Sequence, residues 1–218
     1  MRFTPGVRVI ILASLACITA LTLSPHSQGW ADDYVNSVKK SRADRDREYK
    51  DPKQSPLGPG DIAGFKGLFY FKVAPGYRVQ ARFVRTPDEK KFGMPTTTGR
   101  TRIYLKYGEL KFVIAGQVQT LSVYQSESLS KTEKYKNHLL IPFTDPTNGK
   151  ETYGGGRYID FEIPKSEAVV LDFNLAYNPS CAYNPSFSCP IPPRENHLNL
   201  KIKAGERAYR KPHGGRRA

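Results

Sequence analysis

Alternating apolar and polar residues are the feature of this sequence that most constrains its fold. In residues 77–84, YRVQARFV, every second residue from Tyr77 to Phe83 is apolar, and the residues between them are Arg, Gln and Arg. Because successive side chains of a strand point to opposite faces, this period of two predicts a strand with one buried face. Similar runs occur at residues 65–71, 102–107, 110–115, 117–124, 139–143, 158–163, 168–173 and 198–202.

Turn-forming residues separate these runs. They include Gly108-Glu109, Gly116, Asn148-Gly149 and the glycine triplet at 154–156, and such residues favour tight turns between neighbouring strands. No helical period lies between the runs, although parallel strands would need crossover helices. The sequence therefore predicts an all-β fold, a single antiparallel β-sandwich or barrel of about nine strands with a short N-terminal helix.

The first residues have the composition of an export signal. Arg2 and Arg8 accompany an apolar run at residues 9–23, which is short for a membrane span. Small residues at Gly29 and Ala31 suit a cleavage site, so we expect a signal peptide at residues 1–31. The alternative is an uncleaved anchor. Cleavage would give an extracytoplasmic protein, periplasmic or secreted, with no membrane span.

Charge divides the remaining chain. Residues 32–53 are mostly charged, which predicts a helix that ends before Pro52 or a partly disordered arm. A β domain is expected at residues 54–206 and a basic, disordered tail at 207–218. The chain of 218 residues carries a net charge of +14, so an anionic envelope component or a small anionic ligand is the expected partner. Nucleic acid is not expected, because the predicted export and the absence of a recognised motif count against it.

Residues 173–196, FNLAYNPSCAYNPSFSCPIPPREN, contain two AYNPS blocks and two cysteines. In an oxidising compartment Cys181 and Cys189 are expected to form a disulfide. A metal site with His197 or His138 is the alternative, but the seven residues between the cysteines do not match the spacing of a structural zinc pair, and we predict no metal and no cofactor. Asn-Pro turns and rigid tyrosine rings make this a stiff loop, suited either to ligand binding or to capping an open end of the sheet.

Five motifs in the β region resemble those of one family. They are KGLFYF (66–71), the IPF-D-T-G-ETYGGGRYIDFE course (141–162), LDFNLAYNPSCAYN (171–184), CPIPPREN (189–196) and KAGER (203–207). Together, and in this order, they resemble the bacterial family catalogued as domain of unknown function 1684, over about residues 42–209. The family is uncharacterised, so the resemblance implies that these positions matter without assigning catalytic residues. One departure is Ser180, where the family usually has tyrosine.

Arg157 is a candidate for anion binding, because it follows three glycines whose N–H groups could contact the same anion. A bracing role beside Asp160, Asp172 or Glu195 is the alternative. The predicted ligand contact surface combines this charge with tyrosine rings and hydrogen-bonding side chains, and consists of Arg157, Tyr177, Asn178, Tyr183, Asn184, Glu195 and Asn196.

The sequence supports an enzyme less well than it supports a binding protein. No serine lies in a nucleophile motif, and inside the predicted domain the histidines are His138 and His197. A hydrolase could still use Glu151, Asp160 or Glu195 as acid and base if these carboxylates converged in a barrel mouth. The sequence therefore favours a non-catalytic, ligand-binding or envelope-associated protein over a periplasmic or secreted hydrolase.

Overall fold

One open antiparallel sheet forms the body of the protein. The computed structural model describes residues 25–210, and its seven strands pair in the order β6-β5-β4-β3-β1-β7, with β2 alongside β3. The sheet curls into a half-barrel. The strands are β1 (Arg78–Arg85), β2 (Phe92–Pro95), β3 (Thr101–Ile114), β4 (Gln117–Ser126), β5 (His138–Phe143), β6 (Arg157–Glu162) and β7 (Ala168–Asp172).

Three α-helices accompany the sheet in the described range: α1 (Pro25–Lys50), α2 (Pro59–Ile62) and α3 (Glu127–Ser130). None of the described helices is long and apolar enough to span a bilayer. Most of the predicted signal peptide, residues 1–24, and the end of the predicted tail, residues 211–218, lie outside the described residues.

Antiparallel β structure is confirmed, but the expectation of about nine strands in a sandwich or barrel is not. Residues 102–107 and 110–115 belong to the single strand β3, because Gly108 forms a bulge rather than a turn. A Cβ at Gly108 would lie 2.5 Å from the ring of Phe83 and 2.7 Å from the Val84 carbonyl oxygen. Glycine is therefore required by close packing within the sheet.

Two predicted strands are extended segments outside the sheet. Residues 198–202 alternate between apolar and polar side chains as a strand would, and Leu198 and Ile202 are buried. They form no strand ladder: Leu198 N–H donates to the Thr144 carbonyl at 2.8 Å, and side chains satisfy the backbone of Ile202, since Arg157 donates to its carbonyl and Asp145 accepts from its N–H. Residues 65–71 likewise contribute only a single bridge between Tyr70 and Glu206.

The main core lies on one face of the curled sheet. It is built from alternate residues of the central strands and closed by the segment that follows β7. Phe173 of that segment packs against Phe112 of β3 and Phe143 of β5, with ring centroids 5.7 and 5.5 Å apart. The same segment continues into the first AYNPS block, so the core fixes where that block lies.

Helix α1 packs against the body through one stripe of residues: Tyr34, Val38, Arg42, Arg45 and Tyr49. Their spacing of three and four places them on one helix face. Val38 and Tyr49 are buried, and the Tyr34 hydroxyl donates to Asp172 at 2.7 Å. The helix begins before the predicted cleavage site and continues to Lys50. Two arginines therefore lie on its inward face.

The chain after residue 206 remains in contact with the body up to Arg210. Arg207 N–H donates to the Phe69 carbonyl at 2.7 Å, and Ala208 N–H donates to the Glu151 carbonyl at 3.0 Å. The ring of Tyr209 lies 5.1 Å from that of Tyr183. The β domain thus includes the first residues of the segment assigned from sequence to the tail.

Candidate functional site

A cleft of about 220 Å³ lies between α1 and the segment that follows β7. We call it the arginine cleft, after the two inward-facing arginines of α1. Its polar and aromatic walls are Arg42, Arg45, Tyr70, Asp160, Asn174 and Tyr177. A second depression, of about 330 Å³, lies against Phe69, Lys150 and Arg207, whose side chains are all exposed.

Arg42 is fixed by the body of the protein at one end of the cleft. Its two terminal nitrogens donate to the Phe71 carbonyl at 2.8 Å and the Asn174 carbonyl at 3.3 Å. The guanidinium lies 4.4 Å from the ring centre of Tyr70, within the range of a cation–π contact. The Nε atom of Arg42 and the hydroxyl of Tyr70 are buried with no hydrogen-bond partner among the described residues.

Arg45 lies one helical turn further along α1. Its guanidinium is 4.3 Å from the ring centre of Tyr177, and in the described chain its buried Nε has no hydrogen-bond partner. Burial opposes its charge, but the neighbouring Tyr49 hydroxyl and Glu206 carboxylate outweigh that effect and raise the pKa of Arg45. Arg45 is therefore a charged donor that its surroundings do not fully satisfy.

Asp160 supplies the acidic wall of the cleft. Its Oδ1 accepts hydrogen bonds from the Tyr177 hydroxyl at 2.6 Å and from His138 Nε2 at 3.0 Å. Burial alone would raise the pKa of Asp160, yet these two hydrogen bonds more than compensate and lower it. Both recorded hydrogen bonds use Oδ1, and the side chain is 57% exposed. The second oxygen, Oδ2, is thus available to a ligand.

Glu206 lies beneath the cleft and is fully buried. Its carboxylate accepts from the Asn178 backbone N–H at 3.1 Å, from Asn178 Nδ2 at 3.0 Å and from the Tyr183 hydroxyl. Desolvation is the largest influence on this group and raises the pKa of Glu206 to about 7, although Arg45 opposes the shift. A second negative charge therefore lies close to Arg45 but outside the cleft.

The predicted contact surface is only partly brought together. Tyr177 lines the arginine cleft, whereas Asn178 and Tyr183 lie one layer below it and bind Glu206. The two AYNPS blocks thus have different environments. In the first block Tyr177 faces the cleft, and in the second Tyr183 is buried with its ring 5.0 Å from that of Tyr49 on α1.

Arg157 lies in the interior rather than at a ligand surface. It is completely buried and forms an ion pair with Asp145 at 2.7 Å, which is buried as well. It also donates to the carbonyls of Ile202 and Ala204. Of the alternatives considered from sequence, a bracing role describes these contacts, with Asp145 as the partner instead of Asp160.

The other candidates have structural contacts at separate places. Asn196 is buried and connects its own turn to the two strands β4 and β5, since its side chain bonds the Ser122 backbone and the Pro142 carbonyl. Glu195 accepts from the Tyr124 hydroxyl at 2.6 Å. Asn184 accepts from Ser186 N–H at 3.0 Å in a local turn. None of these contacts involves a residue of the arginine cleft.

The three carboxylates of the hydrolase hypothesis do not converge. Glu151 pairs with Lys203 at 3.4 Å and lines the second depression. Asp160 lines the arginine cleft, and Glu195 bonds Tyr124. A pair of acids acting on one bond would have to face each other across a single pocket, so the described geometry gives that hypothesis no site.

The predicted disulfide is wrong for this structure, because Cys181 and Cys189 are both free thiols. They are neighbours joined by hydrogen bonding, with Cys181 N–H donating to Cys189 Sγ at 3.2 Å. The loop is held instead by Thr97, whose N–H donates to the Cys189 carbonyl at 2.9 Å. His197 is engaged elsewhere with Thr144. No cluster of three or more potential metal ligands occurs in residues 25–210.

Sequence reasoning missed Arg42, Arg45 and Glu206. The available signal was the stripe on α1, in which Val38 and Tyr49 mark the inward face and the spacing places both arginines on it. That signal is weak in a segment where most residues are charged. Glu206 lies in the KAGER motif, but nothing in the motif shows that its side chain is buried.

The fold and the cleft define a class, an open antiparallel β-sheet protein with one docked helix and a cationic cleft between helix and sheet. The chain belongs to the family described as "Protein of unknown function (DUF1684)", which matches residues 63–207. The matched region contains Tyr70, Asp160, Asn174, Tyr177 and Glu206. Helix α1, with its two arginines, precedes it.

The structural comparison finds a similar solved protein. It is the solution NMR structure of an uncharacterized protein from Haloarcula marismortui, with 34% sequence identity and a TM-score of 0.63, and the alignment covers 83% of this chain and 97% of that chain. The comparison with curated proteins finds no match.

Proposed function

We propose that this protein is an exported, non-catalytic binding protein whose arginine cleft takes a small anionic ligand. The observation that carries the proposal is the pair of inward-facing arginines on α1, which line the cleft, have buried Nε atoms without a partner in the described residues and, unlike Arg157, form no ion pair with a carboxylate there. An unsatisfied buried donor is costly, and a charged one more so. A carboxylate or phosphate oxygen would satisfy both arginines at once.

The charge balance of the cleft supports an anion. Arg42 and Arg45 contribute two positive charges, and neither has a carboxylate within the 4.0 Å limit of an ion pair in the described chain. Asp160 contributes one negative charge and already receives hydrogen bonds from Tyr177 and His138. The side chains that line the cleft thus carry a net positive charge, which attracts an anion.

The size of the cleft limits the ligand. Pockets for drug-sized molecules enclose about 300–1,000 Å³, and this cleft encloses about 220 Å³. The ring centres of Tyr70 and Tyr177 lie 4.4 and 4.3 Å from the guanidinium groups of Arg42 and Arg45, and these contacts restrict the movement of both arginines. Such rigid placement reduces the entropy lost on binding. A ligand of a few heavy atoms carrying one carboxylate or phosphate group fits these dimensions.

Export is the second part of the proposal, and it is supported by the composition of residues 1–31. Cleavage before Asp32 would shorten α1 and remove Trp30, whose ring stacks 5.9 Å from that of Tyr34. It would leave every residue of the arginine cleft in place. An intact mass of the protein recovered from an exporting host tests this part, because a chain that retained residues 1–31 would contradict cleavage.

Isothermal titration calorimetry on the full-length chain tests the binding site. The probes are inorganic phosphate, ethyl phosphate, propionate and β-alanine. We expect at least one to bind, and Arg45→Met to weaken it roughly tenfold to a hundredfold, the value of a charged hydrogen bond. Arg47→Met is the matched control, because it removes the same charge from the same helix at a side chain that is 70% exposed.

The outcomes are distinct. Loss of binding in Arg45→Met with normal binding in Arg47→Met supports the arginine cleft as the site. Equal effects of the two substitutions would show only long-range attraction and would overturn the proposal. So would failure of all four probes to bind the wild-type protein.

A further inference from the structure

The arginine cleft contains a negative group as well as two positive ones. Asp160 faces the same space as Arg42 and Arg45, yet no ion pair joins it to either of them, and its recorded ion pair is with His138. A ligand that enters the cleft therefore meets positive groups and a negative group at separate places. This arrangement is complementary to a molecule with charges separated in the opposite sense.

The hydrogen bonds of Asp160 determine which atom a ligand would meet. Tyr177 and His138 both bond to Oδ1. Their two contacts orient the group and leave Oδ2 as an acceptor. A carboxylate oxygen in this position accepts a hydrogen bond most strongly from a cationic donor such as an ammonium group.

Aromatic rings line the space between the charges. The ring of Tyr177 lies beneath Arg45 on one side, and its hydroxyl contacts Asp160 on the other. One tyrosine therefore spans the distance from the cationic wall to the acidic wall. A ligand lying along this ring would place its anionic end at the arginines and its other end at Asp160.

We infer that the ligand of the arginine cleft is a small zwitterion, with a carboxylate or phosphate group bound by Arg42 and Arg45 and an ammonium group bound by Oδ2 of Asp160. This inference rests on the proposed function and narrows it. The shared chemistry belongs both to free amino acids and to aminophosphate headgroups. A volume of about 220 Å³ suits the smaller members of either class.

Matched probe pairs test the ammonium contact. β-Alanine and propionate differ by the ammonium group, as do O-phosphoethanolamine and ethyl phosphate. On the wild-type protein we expect the ammonium-bearing member of at least one pair to bind about tenfold tighter or more, in line with a charge-assisted hydrogen bond. The pair that shows the larger preference distinguishes an amino acid from a headgroup.

Asp160→Asn is the decisive variant. Asparagine keeps a carbonyl oxygen to accept from Tyr177 and His138 and replaces Oδ2 by an NH₂ donor, so the local fold is retained while the ammonium contact becomes repulsive. The variant is expected to abolish the preference for the ammonium-bearing probe and to leave binding of propionate or ethyl phosphate unchanged or tighter. Glu162→Gln is the control, because it removes an acidic group two residues along β6 at an exposed position.

The two proposals fail differently. If the members of each pair bind the wild-type protein equally and Arg45→Met still weakens both, the cleft binds anions and the zwitterion inference is overturned. If Asp160→Asn and Glu162→Gln reduce the preference equally, the ammonium contact is also overturned. If no probe binds, or if Arg45→Met has no effect, both proposals fall.

Discussion

The buried carboxyl of Glu206 should make the stability of the protein fall as pH rises through neutrality. Its pKa in the folded protein is about 7, against an ordinary value of 4.5, and desolvation is the main cause. Below a pH equal to the ordinary pKa, the carboxyl is protonated in both the folded and the unfolded state, so its ionisation does not change the free energy of unfolding. As pH rises, the unfolded chain ionises first and binds fewer protons than the folded chain, which lowers the free energy of unfolding.

The size of the effect follows from the shift. A difference of 2.5 between the two pKa values, at about 1.36 kcal/mol per unit, corresponds to about 3 kcal/mol. The loss begins near the ordinary pKa and is complete above the folded one. It is a large fraction of the stability of a domain, which is about 5–15 kcal/mol.

Urea unfolding of the wild type and of Glu206→Gln, between about pH 4 and pH 8, measures this contribution. Glutamine does not titrate, but it cannot accept from all three donors of Asn178 and Tyr183, so the variant carries a constant penalty. Other groups titrate in both proteins and cancel in the difference. The wild type should therefore lose about 3 kcal/mol relative to the variant as pH rises across this range.

A control and a refuting result complete the experiment. Glu133→Gln alters a carboxylate whose side chain is 86% exposed, and its difference from wild type should be small and independent of pH. If the Glu206→Gln difference were equally flat, desolvation would not control this group. If wild-type stability rose relative to the variant with pH, the three donors and Arg45 would hold the folded pKa below its ordinary value, and the reasoning would be refuted.

Three further predictions concern other parts of the fold. Arg157→Met should destabilise the protein by about 3 to 5 kcal/mol, because it leaves a buried carboxylate unpaired, and an unchanged urea midpoint would contradict this. Gly156 has φ +88° and a Cβ there would lie 2.6 Å from a carbonyl oxygen, so Gly156→Ala should cost about 2 kcal/mol or more whereas Gly154→Ala costs little; equal midpoints for the two variants would argue against it. Hydrogen bonding with Cys189 lowers the pKa of Cys181 to about 6, so iodoacetamide should label Cys181 with a midpoint near this pH and spare Cys189, as peptide mapping would show; equal labelling of both thiols would refute the assignment.

The sheet could be predicted from sequence because its strands bury one face, so that apolar and polar residues alternate along them. In β1, for example, Ala81 and Phe83 are buried and Arg82 between them is exposed, as a period of two requires. The strand count could not be predicted in the same way. Residues 198–202 alternate equally well, but Thr144 accepts from the N–H of Leu198, and Arg157 and Asp145 satisfy the backbone of Ile202, and that depends on contacts between distant parts of the chain.

The candidate site was harder to predict than the fold, because it depends on which charges are satisfied. Arg157 follows a glycine triplet and has the sequence context of an anion site, yet in the interior it forms an ion pair with Asp145 and donates to two carbonyls, which leaves only its Nε unpaired. Arg42 and Arg45 lie in an ordinary charged segment, yet they line a cleft and form no ion pair with a carboxylate in the described chain. Sequence context gives the type of a charge, whereas its role depends on partners that the fold supplies. In this protein the arginine that is paired with a buried carboxylate stabilises the fold, and the two arginines without such a partner are the ones that an anionic ligand could bind.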